Sequence, residues 1–258
     1  MNPRVLPTLR AIVAGYAPRA IQARGWVLCA LAVLPVAISF AGRAIATHAG
    51  GFDSRLALQI FHNVLASLVL PIMVLVAAPG GIREDMEQRT LPLVLVRPVP
   101  VWILPAAKGL VWFAWGACWL AVSGLGLTIL GADPASAALQ VLALVLAWWA
   151  ELAFLSALIL VFKRGALWGA LVLFGWENLL RVLPATLQRF TFLHHIESIS
   201  GSRGGMVADW DVLAQAQITS PIPLSVTALV LFGVLAWALA GWQLHRTPLG
   251  LAGREAEG

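Results

Sequence analysis

Charge is scarce in this chain. Asp, Glu, Lys and Arg make up 11% of its 258 residues, where soluble domains carry about a quarter. Lysine occurs only at Lys108 and Lys163, and neither follows a glycine-rich strand turn, so the chain by itself cannot bind ATP in the Walker manner. Neither His-Glu-x-x-His nor Gly-x-Ser-x-Gly occurs, which removes the commonest cues to an intramembrane hydrolase. Cysteine is limited to Cys29 and Cys118, both inside apolar runs, so no disulfide framework is implied. No ten-residue alternation recurs, which disfavours a membrane barrel.

What remains is apolar: 60% hydrophobic residues, 12 Trp and a mean hydropathy of +0.86. Charge-free runs cover Gly25–Gly42, Leu56–Ile82, Gly109–Ala132 and Val212–His245, close to or above the roughly 20 residues a spanning helix needs. Two further runs are Ala135–Phe162, interrupted by Glu151, and Gly165–Pro184, which carries Glu177 and Arg181. The pattern predicts an all-α membrane protein with six transmembrane helices, at about 26–42, 56–80, 104–131, 137–161, 165–184 and 222–244. These form a transmembrane domain over 26–246, followed by a tail at 247–258.

Residues 1–25 hold Arg4, Arg10, Arg19 and Arg24 and no acid, with Leu9, Ile12, Val13 and Tyr16 at helical spacing. That composition predicts an amphipathic interfacial helix, basic toward lipid headgroups and apolar toward the membrane boundary, split at Pro18. Lys and Arg between spans divide twelve against five in favour of the side that holds the N-terminus. The positive-inside rule then places both termini, and the connection between spans two and three, in the cytoplasm. Inner-leaflet lipid accounts for the net charge of +5, and nucleic acid need not be invoked.

That connection holds the one charged stretch that stands apart. Ile82, Met86, Thr90 and Leu93 share one helical face, while Arg83, Glu84, Asp85, Glu87 and Gln88 take the other. Arg83 with Glu87 and Asp85 with Arg89 are opposite charges four apart, each pair worth about 0.2–0.5 kcal/mol. Pro92, and then Pro98 and Pro100, break the helix before the next span. The residues allow either a solvated connector or a docking helix.

The order Glu84, Asp85, Glu87, Thr90, Leu91, a short apolar run, Pro98 and then Lys108 opening a span resembles the permease subunit of type-2 ABC exporters. Arg89 stands where that family usually has Gly, and Pro100 where Arg is common. The resemblance implies a coupling helix between spans two and three. Through Arg83, Glu84, Asp85, Met86, Glu87, Arg89 and Thr90 it would dock onto a separate ATPase subunit in the cytoplasm, which would hold the ATP and Mg. It also implies a transport subunit rather than an enzyme, with no cofactor of its own. Such a subunit sits in the cell membrane and pairs with a second copy or a similar permease to enclose the path. A stand-alone secondary transporter or channel, driven through Glu151, Glu177 and Arg181, is the alternative reading.

Glu151 lies 12 residues before Lys163, and Glu177 12 residues after Gly165. In an antiparallel hairpin both carboxyls then sit about 18 Å from the inner turn, past the bilayer midpoint. Arg181 is one turn beyond Glu177 on the same face, with Asn178 beside it. Charges at this depth cost about 2.5–3.5 kcal/mol or more unless paired, so Glu151, Glu177, Asn178 and Arg181 are expected to point inward. They form either a structural bridge or a polar patch on the transport path. On the outer side, residues 185–223 include His194, His195 and Glu197 and are expected to cap the bundle. Adjacent histidines point to different sides of a helix and no third ligand is evident, so no metal site is expected there.

Overall fold

Apolar runs with few polar groups to offer water satisfy their backbone internally, and here they do so as helices. The computed structural model describes residues 5–49, 61–80, 103–162, 164–180, 185–201 and 220–246. The charged segment with Arg83, Glu84, Asp85, Met86, Glu87, Arg89 and Thr90 lies outside the described residues, as do Lys163, Arg181 and the tail at 247–258.

Nine helices account for the described chain. They are α1 (Val5–Ala20), α2 (Trp26–Ala49), α3 (Phe61–Gly80), α4 (Ile103–Ile129), α5 (Pro134–Val161), α6 (Gly165–Leu180), α7 (Ala185–Gln188), α8 (Phe192–Ser200) and α9 (Ile222–Arg246). No strand occurs among the described residues. Five helices, α2, α3, α4, α5 and α9, are long and apolar enough to cross a membrane; α6 is a shorter apolar helix. The protein is therefore an all-α, multi-pass membrane protein.

Three π-helical segments widen the ladder, at Ile21–Gly25 before α2, at Leu65–Val69 within α3 and at Leu171–Trp176 within α6. The break expected at Pro18 is displaced: α1 runs through Pro18 to Ala20, and the chain loosens only at the first of these segments. At the other end of the bundle, Gly131 takes φ +95° in the turn after α4. Asp133 then caps α5, its carboxylate accepting from the Ser136 backbone N–H at 2.9 Å, with Pro134 at the first turn. These bonds from Ser136 hold the Asp133 carboxyl below its ordinary range.

The core runs along α5. Trp148, Leu144, Ala147 and Leu152 are buried there and meet Leu65, Met73 and Val74 of α3, Trp112 and Leu120 of α4 and Leu229 of α9. Tryptophan seats on glycine at three contacts between helices. Gly116 of α4 lies under the Trp148 indole, Gly109 under Trp237 of α9, and Gly233 of α9 under Trp149 of α5. The α5–α6 hairpin uses the same device on a smaller scale. Gly165 abuts the Leu158–Ile159 backbone and Gly169 the Leu155 side chain, so the small-residue spacing there serves packing within the chain.

The predicted apolar side of α1, with Leu9, Ile12, Val13 and Tyr16, is its half-buried side. Val13, Tyr16 and Ala17 rest against the core rather than being left to lipid alone. The Tyr16 hydroxyl donates to the Gly80 carbonyl at the end of α3 and accepts from Trp112 Nε1 at 3.0 Å. Lys108 Nζ lies 4.5 Å above the Tyr16 ring. One aromatic residue thus joins α1 to the end of α3 and the start of α4.

Candidate functional site

Span four brings Glu151 into the bundle on a face that also carries Leu144, Trp148 and Leu155, and Glu151 is 3% exposed. Its Oε2 makes no hydrogen bond to any described residue. Glu177 begins the last four residues of α6, directly after the π segment Leu171–Trp176. The two carboxyls that the hairpin arithmetic placed at one depth line one small void between α3, α5, α6 and α8. Ser67 and Asn178 supply the other polar groups, and Pro71, Leu173 and Ile196 complete much of the wall. Arg181, the expected partner of Glu177, lies outside the described residues.

Glu177 has a use that the sequence did not reveal. Its Oε1 accepts from the Phe192 backbone N–H and its Oε2 from that of Leu193, each at 3.0 Å. Those are the first two residues of α8, while Thr191 Oγ1 accepts from the His194 N–H at 3.1 Å. Three of the four N–H groups left open at the start of a helix are therefore satisfied, two by a carboxylate from another helix. The positive end of α8 faces that negative charge, a favourable arrangement where water is scarce. Asn178 instead turns Nδ2 to the Phe174 carbonyl one turn back, at 2.7 Å, which leaves its Oδ1 as the group not committed to its own helix.

The void is also where two of the π segments meet. Ala66 and Ser67 belong to Leu65–Val69 and Leu173 to Leu171–Trp176, so α3 and α6 both depart from regular α geometry at the wall. Neither apolar periodicity nor charge spacing announces a π segment. A second buried polar pair, His62 of α3 hydrogen-bonded to Gln140 of α5, was likewise not predicted.

Helix α8 packs onto the bundle. Leu193, Ile196 and Ile199 of α8 are buried, and the Phe192 ring meets Phe232 of α9 edge to face, with centroids 5.1 Å apart. Gly201, at φ +67°, ends the helix in the left-handed conformation. His194 and His195 diverge: the first shares a hydrogen bond with Ser220 at 2.8 Å and the second with Ser225 at 3.1 Å. They tie α8 to the start of α9, and among the described residues no third ligand joins them.

Burial holds the His194 imidazole below its ordinary range, to about 4, with His195 and Arg189 adding to the effect. The unfolded chain takes up that proton at about 6.5. Stability is therefore full above about pH 6.5 and falls as pH drops toward 4, because the unfolded state binds the proton first. The thermal midpoint of the purified protein should decline from pH 7.5 to 5, and His194→Asn should flatten part of that slope. A midpoint that does not change over this range would show that the fold does not hold His194 neutral.

No protein-family model, no curated protein and no solved structure matches the chain. The site is defined by its own geometry: two carboxyls in one void, one committed to a helix terminus and one without a hydrogen-bond partner among the described residues.

Proposed function

We propose that the chain is the permease subunit of an ATP-driven exporter of the type-2 ABC class. In this reading α6 and the residues after it to Pro184 form a sixth span, and both termini face the cytoplasm of a cell whose inner membrane holds the protein. A homodimer, or a pair with a similar permease, encloses the path, and ATP and Mg bind on a separate ATPase subunit. The observation that supports it most is the joint at Tyr16. It draws the basic helix α1, the end of α3 at Gly80 and the start of α4 at Lys108 and Trp112 into one patch. Gly80 and Lys108, which flank residues 81–102, therefore stand beside the N-terminal helix, and this supports a docking role for the residues between them.

Reversing Glu84 and Glu87 to Lys should uncouple an ATPase subunit while leaving the permease inserted. The check is co-purification of an ATPase, identified by its nucleotide-binding sequence, with the tagged permease, together with its ATP turnover in the complex. Wild-type recovery and turnover in the double variant would remove the coupling role.

One observation favours the other reading, a secondary transporter driven by an ion gradient. Two π segments and two carboxyls converge within the bundle, as irregular backbone does at ion sites in such transporters. Failure to recover any ATPase with the wild-type protein would favour it.

A further inference from the structure

We propose that the void between Glu151 and Glu177 is a binding site for one monovalent metal cation of the size of Na+. The inference does not depend on whether transport is driven by ATP.

The oxygen donors come from three helices. Glu151 of α5 contributes a carboxyl that is 3% exposed and whose Oε2 has no hydrogen bond to a described residue. Ser67 of α3 donates its proton to the Asn63 carbonyl, so its oxygen lone pairs remain for the void. Asn178 of α6 spends Nδ2 on Phe174 and keeps Oδ1. Glu177 lies on the same wall, each oxygen already accepting one backbone N–H and able to accept more. No basic side chain lines the void among the described residues.

Charge and size select the ligand. Among the described residues no positive group lines the void beside Glu151, and a carboxylate held in a site of low dielectric calls for one positive charge. Carboxylate, hydroxyl and amide oxygens are hard donors, suited to alkali and alkaline-earth ions rather than to zinc or copper. The void is small, with room at its centre for about one water-sized particle. An organic amine does not fit, nor does Mg2+, which keeps several of its waters. The π segments on two walls depart from the regular ladder, as backbone at ion sites inside membranes often does.

The test uses the full-length protein, purified in detergent, and follows thermal unfolding by tryptophan fluorescence. NaCl, KCl and choline chloride are compared at equal ionic strength. A ligand that binds only the folded state raises the midpoint saturably with concentration. Na+ should raise it by several degrees over choline, and Glu151→Gln should lose that shift. Ser67→Ala, which keeps the carboxyls, should move the Na+ midpoint curve to several-fold higher concentration; it serves alone if the Gln variant fails to fold. No difference between Na+ and choline overturns the proposal. So does a midpoint that depends on pH but not on Na+, because the occupant of Glu151 is then a proton only. A cation response that Arg181→Leu creates and the wild type lacks also overturns it, since the counter-charge is then Arg181.

Discussion

Glu177→Leu is expected to lower the unfolding midpoint sharply and to release α8 from the bundle. The substitution removes the acceptor from two backbone N–H groups, those of Phe192 and Leu193, and the second of these is buried. An abandoned buried donor costs about 1–3 kcal/mol, and losing the charge at the helix terminus adds up to about 2 kcal/mol. Relief from burying a carboxylate gives part of this back. A net loss of about 3 kcal/mol is a large share of the 5–15 kcal/mol typical of folded proteins. Glu177→Gln keeps one acceptor oxygen and should fall between. Fluorescence-detected size-exclusion chromatography after heating reads the midpoint, and limited proteolysis around 189–201 reads the release of α8. A Leu variant with the wild-type midpoint and the wild-type cleavage pattern would mean that the carboxylate does not hold α8.

The largest effect of any single added group is expected at Gly116. A Cβ there would overlap the indole of Trp148. That ring is fully buried and donates Nε1 to the Phe113 carbonyl at 3.2 Å, so it has no free direction in which to move. Overpacking of this kind costs about 1–3 kcal/mol for a methyl group. Leucine adds four carbons at the same point, so Gly116→Ala should lower the midpoint measurably and Gly116→Leu should abolish monodisperse expression. Gly15 and Gly42 provide the contrast, since nothing lies within 4 Å of a Cβ at either position. Alanine there should be neutral or stabilising by up to about 1 kcal/mol through helix propensity. If Gly116→Ala behaves like Gly42→Ala, the tryptophan-on-glycine contacts do not set the helix spacing.

Different parts of this structure were legible in the sequence for different reasons. Apolar runs broken by glycine, proline and charge mark membrane helices directly, because length and hydropathy are local properties. The half-buried side of α1 follows from a 3.6-residue period in the same way. Glu151 and Glu177 were found together because a tight hairpin turns sequence distance into depth. The clamp on α8 was hidden for the opposite reason. A capping box would place Glu or Gln at position 194, three residues after Thr191, but His194 stands there and the carboxylate comes from a helix 15 residues earlier. The π segments at 65–69 and 171–176 arise from how neighbouring helices pack, which no single run of residues records. Ser225 of α9 is fully buried and hydrogen-bonded to His195 of α8, a contact between helices that local spacing does not record.

Tyr16 is the chain's single tyrosine, and it stands where the amino-terminal helix, the close of α3 and the opening of α4 touch. The protein therefore carries a natural spectroscopic probe at that joint. Fluorotyrosine supplied during growth would enter at this position alone and give one fluorine resonance. Its shift would report, without any introduced mutation or reactive label, whether the three elements stay together or part as conditions change.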